Sequence, residues 1–217
     1  MISIALIRHG ITHSNMEGRF VGSIDEPITP QAAEQLRLLA SCYPYPKADM
    51  IYRSPLTRCR QTMEEIYPNR CNTILCGLRE IEFGRYEGVL AQEAFEELGA
   101  PPIRERRTEF SFPGGESFGD CLERGIKSID RIIKDSVSEG YSAVSVVTHS
   151  MWISTFLQHC MVSENHHTNL YCGNGMGISV LADPEEWTEN QIVHFDRYIP
   201  EGALRPRAEE SPYRYQR

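Results

Sequence analysis

Short apolar stretches alternate with helical patterns along most of this chain. The run Ala143–Val147 is almost continuously apolar and rich in β-branched residues, which is typical of a strand buried on both faces of a sheet. Ser3–Ile7 is the first strand candidate along the chain. Shorter runs predict three more strands, at Asp49–Tyr52, Gly177–Ala182 and Ile192–Phe195.

The segments between these strands carry apolar residues at helical spacing. The clearest case runs from Phe118 to Val137, where apolar side chains recur every three or four positions and Gly140 follows as a natural stop. Three further helices are predicted: one capped by Thr29 and beginning at Pro30, one beginning just after Pro55, and one over Met151–Met161.

This alternation predicts an α/β fold, a three-layer sandwich in which helices flank a mainly parallel central sheet. With 217 residues, 41% of them hydrophobic, the chain is expected to form a single domain over residues 1–198. Prolines, glycines and charges in residues 98–117 predict an excursion outside the sheet that could cover a site. Residues 199–217 read as a polar C-terminal tail.

Composition narrows the classes of partner. A formal net charge of −8 argues against binding nucleic acid or an anionic membrane surface, so a small-molecule substrate is expected. The seven cysteines are odd in number and scattered without a C-x-x-C pair, which predicts reduced thiols in a cytoplasmic protein. We find neither a signal peptide pattern nor a window approaching the ~20 apolar residues of a membrane span. The oligomeric state stays open.

Basic residues follow the strands at the ends where ligands bind in open α/β sheets. The first strand leads into Arg8 and His9, the second into Arg53 and then Arg58, and the run 143–147 leads into His149. Taken singly, each could be a structural residue, but their joint placement in an acidic protein favours a compact anion such as phosphate. The histidines and cysteines show no H-E-x-x-H or paired-cysteine spacing, so we predict no metal and no cofactor.

Several blocks of sequence carry a family resemblance. They are R-H-G-I-T-x-x-N at 8–15, S-P-L-T-R-C-R-Q-T at 54–62, L-R-E-I-E-F-G at 78–84, F-P-G-G-E-S at 112–117 and V-T-H at 147–149. In this order they resemble the signature of the histidine phosphatase superfamily, also called the phosphoglycerate-mutase-like family. The resemblance spans residues 3 to about 182 and implies that family's fold and phosphoryl-transfer chemistry.

By this resemblance, His9 is the nucleophile that takes the phosphoryl group, and Arg8, Arg58 and His149 surround the phosphoryl oxygens. Glu80 corresponds to the proton donor for the leaving group. Positioned cations and an aligned nucleophile are what phosphoryl transfer chiefly requires of a protein. His9 must attack as a neutral imidazole, so its other ring nitrogen needs a hydrogen-bond acceptor that the sequence does not identify.

Four further residues are candidates for the site, two of them, Asn15 and Gly22, from the resemblance. Glu82 competes with Glu80 for the acid role, and only motif position favours Glu80. Asn15 and Gly22 match positions near the bound phosphate, Asn15 through its amide and Gly22 through close backbone approach; both types are also common in turns. Trp152 is a candidate contributor to substrate selectivity.

Departures from the mutase pattern shape the functional prediction. Ile11 replaces the acidic residue common in true mutases, and Ser14 stands where they usually carry tryptophan. Ser150 replaces a frequent glycine and is a candidate helix cap. We therefore predict a metal-independent phosphatase acting on small phosphorylated metabolites. The alternatives are a 2,3-bisphosphoglycerate-dependent phosphoglycerate mutase and, less favoured, a non-catalytic phospholigand-binding module.

Overall fold

A seven-stranded sheet forms the centre of the molecule in a computed structural model that describes residues 1–99, 108–163 and 170–203. The strand order is β3-β2-β4-β1-β6-β7-β5. The strands are β1 (Ile2–Arg8), β2 (Met50–Arg53), β3 (Asn72–Ile74), β4 (Ala143–Thr148), β5 (Met161–Val162), β6 (Gly177–Ala182) and β7 (Val193–Ile199).

Strand direction brings the functional ends of the chain together. β1 and β2 both run parallel to β4, and only β6 runs antiparallel to its neighbours. In this register Arg8 lies opposite Thr148, and Arg53 lies opposite Val147. The carboxyl ends of β1, β2 and β4 therefore meet at one edge of the sheet, and the predicted mainly parallel α/β architecture is confirmed.

Seven α-helices are described. They are α1 (His13–Met16), α2 (Pro30–Cys42), α3 (Thr57–Ile66), α4 (Ala91–Leu98), α5 (Phe118–Glu139), α6 (Ser150–Cys160) and α7 (Pro184–Asn190). Thr29 caps α2 and Ser117 caps α5 through their side chains, and Gly140 ends α5 in the left-handed conformation. The predicted cap at Thr29 and the predicted stop at Gly140 are thus confirmed, whereas the cap at Ser117 was not predicted.

Two hydrophobic cores lie on opposite faces of the sheet, which gives the predicted three layers. Alternate β1 residues face opposite ways: Ile4 and Leu6 join one core, and Ala5 and Ile7 join the other. Buried residues of α5 and α6 belong to the first core, and those of α2 and α3 to the second.

Short elements depart from the sequence prediction. The strands β3 and β5 and the helices α1, α4 and α7 were not predicted, because segments of two to eight residues carry little periodicity. The predicted strand Ile192–Phe195 extends to Ile199, which places the first residue of the predicted tail in the sheet. Phe112, inside the predicted 98–117 excursion, is fully buried in the first core. Residues 100–107 of that segment and 204–217 of the tail lie outside the described residues.

Candidate active site

Five side chains predicted from the sequence are buried at the carboxyl edge of the sheet. Arg8 ends β1 and His9 follows it, Arg58 lies in the first turn of α3, and His149 precedes α6; Glu80 follows a short 3-10 turn at 76–78. Each is less than 10% exposed. The rings of His9 and His149 lie 5.1 Å apart between centroids, and Arg58 Nε donates to His149 Nδ1 at 3.3 Å.

The His9 ring has a defined tautomer. Its Nδ1 lies 2.7 Å from the carbonyl oxygen of Gly10, and since a carbonyl only accepts, Nδ1 carries the proton. The lone pair of the neutral ring is then on Nε2. Burial and the charges of Arg58 and Arg8 hold the pKa of His9 well below its usual value. This ring therefore stays neutral at physiological pH, and Gly10 supplies the acceptor that the sequence could not identify.

The same reasoning assigns the second histidine. Because Arg58 Nε only donates, Nδ1 of His149 is unprotonated and Nε2–H donates to the Ser54 hydroxyl at 2.9 Å. Burial, Arg58 and then His9 lower the pKa of His149 well below its usual value. The Cys59 sulfur lies 3.5 Å from His149 Nε2, and burial raises the pKa of this thiol to about 12, so it stays protonated.

Both arginines are anchored by backbone oxygens. Arg58 donates to the carbonyls of Ile24 at 2.7 Å and Gly22 at 2.9 Å. Arg8 donates to the Cys172 carbonyl at 2.9 Å, while its buried Nε has no hydrogen-bond partner within the described ranges. A buried N–H without a partner is unfavourable, so an anionic ligand oxygen is a suitable acceptor for it.

Glu80 is held by the start of α6. Its carboxylate accepts from the backbone N–H groups of Ile81, Met151 and Trp152 at 2.9–3.1 Å. These bonds occupy two of the free donors in the first turn of α6, where His149 makes no side-chain cap. Burial nevertheless outweighs them and raises the pKa of Glu80, which favours the protonated acid.

Geometry separates Glu80 from its competitor Glu82. The Glu82 side chain is 46% exposed and lies 3.4 Å from Arg79 at the surface. Arg124, by contrast, braces the Glu80 segment: it donates to the Glu80 carbonyl at 3.0 Å and pairs with both carboxylate oxygens of Glu116. Of the two carboxyl groups, only Glu80 belongs to the buried cluster.

Asn15 and Gly22 lie beside this cluster. Asn15 Oδ1 accepts from Thr12 N–H at 3.4 Å and from Asn174 Nδ2 at 3.1 Å. A Cβ at Gly22 would come within 2.0 Å of the Ile81 carbonyl oxygen, so only glycine fits that close approach.

Three other sequence expectations do not hold at the site. Arg53 is bonded to Asn72 at 2.8 Å and to the carbonyl of the next residue, so it ties β2 to β3. Trp152 is buried, and its Nε1–H donates to the Gly77 carbonyl; it is a core residue, and its proposed part in selectivity is wrong. The residue at the cap of α6 is His149, and Ser150 is the first helical residue.

Sequence reasoning missed the groups that orient the site. The Gly10 carbonyl and the Ser54 hydroxyl fix the two histidine tautomers, and Asn174 donates to the His9 carbonyl at 3.0 Å. Asn174 lies between two glycines just before β6, a composition that indicates only a turn.

Neither a metal cluster nor a membrane-spanning helix occurs in the described ranges. There, no three His, Cys, Asp or Glu side chains are grouped so as to hold a metal ion. None of the helices in the same ranges is both long and apolar enough to cross a bilayer.

As a whole, the cluster combines an imidazole lone pair, two guanidinium groups and a buried carboxyl that favours its acid form. These are the components needed to transfer an anionic group from one oxygen to a ring nitrogen and to protonate the departing oxygen.

Comparisons with known proteins identify the family. The family model of the histidine phosphatase superfamily (branch 1) matches residues 4–193. The chain is 28% identical over 155 residues to phosphoserine phosphatase 1 of Hydrogenobacter thermophilus, covering 70% of this chain and 72% of that protein. It is also 28% identical over 167 residues to a 2,3-bisphosphoglycerate-dependent phosphoglycerate mutase of Gloeobacter violaceus, covering 72% and 74%.

A solved structure shares the fold. The alpha-ribazole phosphatase of Shigella flexneri superposes with a TM-score of 0.68 at 18% identity, over 95% of this chain and 100% of that one. The family relatives confirm the prediction of an enzyme of the phosphatase type. With a family model that covers most of its length, the chain belongs to branch 1 of the histidine phosphatase superfamily.

Proposed function

We propose that this chain is a metal-independent phosphatase that hydrolyses small phosphorylated metabolites through a phosphohistidine formed on His9. The observation that carries the proposal is the bond from His9 Nδ1 to the Gly10 carbonyl, which leaves a lone pair on Nε2 of a buried ring whose pKa the charges of Arg58 and Arg8 lower. The alignment of a neutral nucleophile with fixed cations supports phosphoryl transfer more directly than any other chemistry.

In the first step, His9 Nε2 attacks phosphorus and the bond from phosphorus to the ester oxygen breaks. Glu80 gives its proton to that oxygen, so the product leaves as a neutral alcohol. Arg8 and Arg58 neutralise charge on the phosphoryl oxygens, and His149 is held against Arg58 at 3.3 Å.

In the second step, water attacks the phosphohistidine. The ionised Glu80 accepts a proton from this water, the bond from nitrogen to phosphorus breaks, and inorganic phosphate forms. The imidazole regains its lone pair and Glu80 regains its proton, which completes the cycle without a metal or cofactor.

A mutase is the second candidate, because one relative of similar identity is named a phosphoglycerate mutase. Both enzymes would share the phosphohistidine step. They differ in whether water or a second substrate oxygen takes the phosphoryl group. Ile11 and Ser14, which depart from the mutase pattern, favour hydrolysis. The seven free cysteines support a reducing compartment, so we include a cytoplasmic location in the proposal.

The test uses the purified full chain with a panel of phosphate monoesters, in the presence and absence of a chelator. We expect phosphate release that the chelator leaves unchanged, and an acid-labile phosphoprotein in rapidly quenched samples. His9→Ala should abolish both signals. His13→Ala is the matched control, since His13 is exposed on α1.

Three results would contradict the proposal. Loss of activity on chelation would indicate metal chemistry. Faster interconversion of 2- and 3-phosphoglycerate than hydrolysis would indicate the mutase. Phosphate binding by wild type without any phosphoprotein would indicate a non-catalytic binding module.

A further inference from the structure

The loop before β6 holds the start of the phosphate-binding segment at several points. Asn174 Nδ2 donates to the His9 carbonyl at 3.0 Å and to Asn15 Oδ1 at 3.1 Å. The next residue, Gly175, donates its backbone N–H to the Arg8 carbonyl at 3.0 Å. A single loop therefore contacts Arg8 and His9, which the proposed function places at the phosphoryl group, and Asn15, which the family resemblance places near it.

Backbone groups fix the orientation of both amides. The His9 carbonyl can only accept, so the Asn174 atom that faces it is the NH2 group. The Thr12 N–H can only donate, so the Asn15 atom that faces it is Oδ1. Neither assignment depends on a choice of amide flip.

This arrangement leaves one group of Asn15 uncommitted. Its oxygen is occupied by the two donors, while its NH2 group has no acceptor among the described residues. The contact from the Thr12 N–H is long, at 3.4 Å, so Asn174 supplies the shorter of the two bonds that hold the oxygen in place. An anion beside Asn15 then meets donor hydrogens rather than a carbonyl oxygen.

We propose that Asn174 is a positioning residue that fixes the Asn15 amide with its NH2 group presented to the phosphoryl oxygens. The inference rests on the proposed function and takes Asn15, which the family resemblance places near the bound phosphate, as a ligand of the phosphoryl group. Without Asn174, the Asn15 amide can rotate and present its oxygen to the phosphoryl group, and this oxygen repels the anion. The expected defect is in binding of the phosphoryl group, with the folded state retained.

The experiment measures binding of inorganic phosphate by calorimetry and steady-state kinetics with the best monoester of the panel. Asn174→Ala should weaken phosphate binding roughly tenfold, as expected for loss of an oriented hydrogen bond to a charged group. KM should rise by a similar factor and kcat should change much less, because the lost contact acts in both ground and transition states.

Tyr45→Phe is the matched control. The Tyr45 hydroxyl donates to the Gly175 carbonyl at 2.5 Å, so its removal loosens the same loop without touching either amide. Phosphate affinity in this variant should stay near that of wild type. A second test is the double variant, in which Asn174→Ala should add nothing further to Asn15→Ala.

The possible outcomes separate the positioning role of Asn174 from the proposed phosphatase function. Wild-type phosphate affinity in Asn174→Ala, an equal loss in Tyr45→Phe, or additive losses in the double variant would overturn the positioning role while leaving the phosphatase proposal intact. A wild type that neither binds phosphate nor hydrolyses any ester would overturn both. The positioning role would be supported if Asn174→Ala lowers phosphate affinity in the wild-type protein but not in the Asn15→Ala variant.

Discussion

Replacing Glu80 with glutamine separates the two jobs that its carboxyl group performs. The carboxylate accepts from Ile81 and Trp152 through Oε1 and from Met151 through Oε2. A glutamine keeps one oxygen for two of these donors, but its NH2 group then faces the Met151 N–H or another donor. One buried N–H loses its acceptor, which costs about 1–3 kcal/mol.

The melting temperature should therefore fall. For a chain of this size, 1 kcal/mol corresponds to roughly 2–4 °C, so Glu80→Gln should lower the Tm by roughly 2–12 °C. Calorimetry at neutral pH measures this shift. An unchanged Tm would refute the view that the carboxylate of Glu80 satisfies the start of α6.

The catalytic effect depends on the leaving group. An alkyl phosphate needs a proton on its departing oxygen, so kcat should fall by roughly 10²–10⁴ in Glu80→Gln. A p-nitrophenyl ester needs no such proton, so the first step should survive while hydrolysis of the phosphohistidine slows. Stopped-flow measurement should then show a burst of about one equivalent of p-nitrophenol before a slow steady state.

The control is the neighbouring Glu82→Gln. The Glu82 side chain is 46% exposed and, among the described residues, forms an ion pair with Arg79, so the Tm and both rates of this variant should stay close to those of wild type. Equal rate losses for the alkyl and aryl esters in Glu80→Gln, with no burst, would refute the assignment of Glu80 as proton donor. A larger rate loss in Glu82→Gln would transfer that role to Glu82.

Three further predictions concern the same site. Because burial lowers the pKa of His149, the unfolded state takes up a proton near pH 6.5 that the folded state does not, so the free energy of unfolding falls as the pH drops below that value. His149→Asn should reduce this pH dependence by about 1.4 kcal/mol per pH unit relative to wild type, as measured by urea unfolding at a series of pH values. Gly22→Ala forces a Cβ to within 2.0 Å of a backbone oxygen and should cost about 1–3 kcal/mol and most of the activity, whereas an alanine at Gly18 meets nothing within 4 Å and should affect only stability, through its positive φ. In Arg124→Lys, the lysine lacks the planar guanidinium that pairs with both carboxylate oxygens of Glu116 and also reaches the Glu80 carbonyl. The Tm and kcat should therefore both fall because Glu80 is displaced; wild-type values for both would contradict the bracing role of Arg124.

The long elements could be predicted because their signals are local. Ala143–Val147 is apolar throughout most of its length, and the observed β4 adds one residue. The apolar spacing from Phe118 and the stop at Gly140 mark α5 within the sequence itself. The convergence of Arg8 and His149 followed from a general rule, since parallel strands end at a common edge.

The orienting groups could not be predicted because the sequence does not show which polar groups come into contact, whether with an adjacent residue, as for Gly10, or across the fold, as for Ser54. The acceptor for His9 is a backbone carbonyl oxygen, a group that every residue carries, so the sequence cannot show which of these oxygens the imidazole contacts. Glu80 and Glu82 look alike in sequence, and only packing against α6 buries the first and leaves the second at the surface. Trp152 was misjudged for the same reason, since its N–H finds a carbonyl inside the core.

In the proposed mechanism, the site uses histidine as the nucleophile and arginine as the source of positive charge, and its electrostatics explain why both are needed. A chain with a net charge of −8 repels a phosphate dianion at long range, but salt screens that repulsion beyond about 8 Å, so capture depends on the charges nearest the anion. Histidine could supply such charge only by protonation, which would remove the lone pair that His9 needs. Burial next to Arg58 and Arg8 holds the pKa of His9 low, and the two guanidinium groups provide the positive charge instead. The same two cations that attract phosphate therefore also keep His9 in its reactive, neutral form. A lysine in place of either arginine would weaken both effects, because burial can deprotonate a lysine.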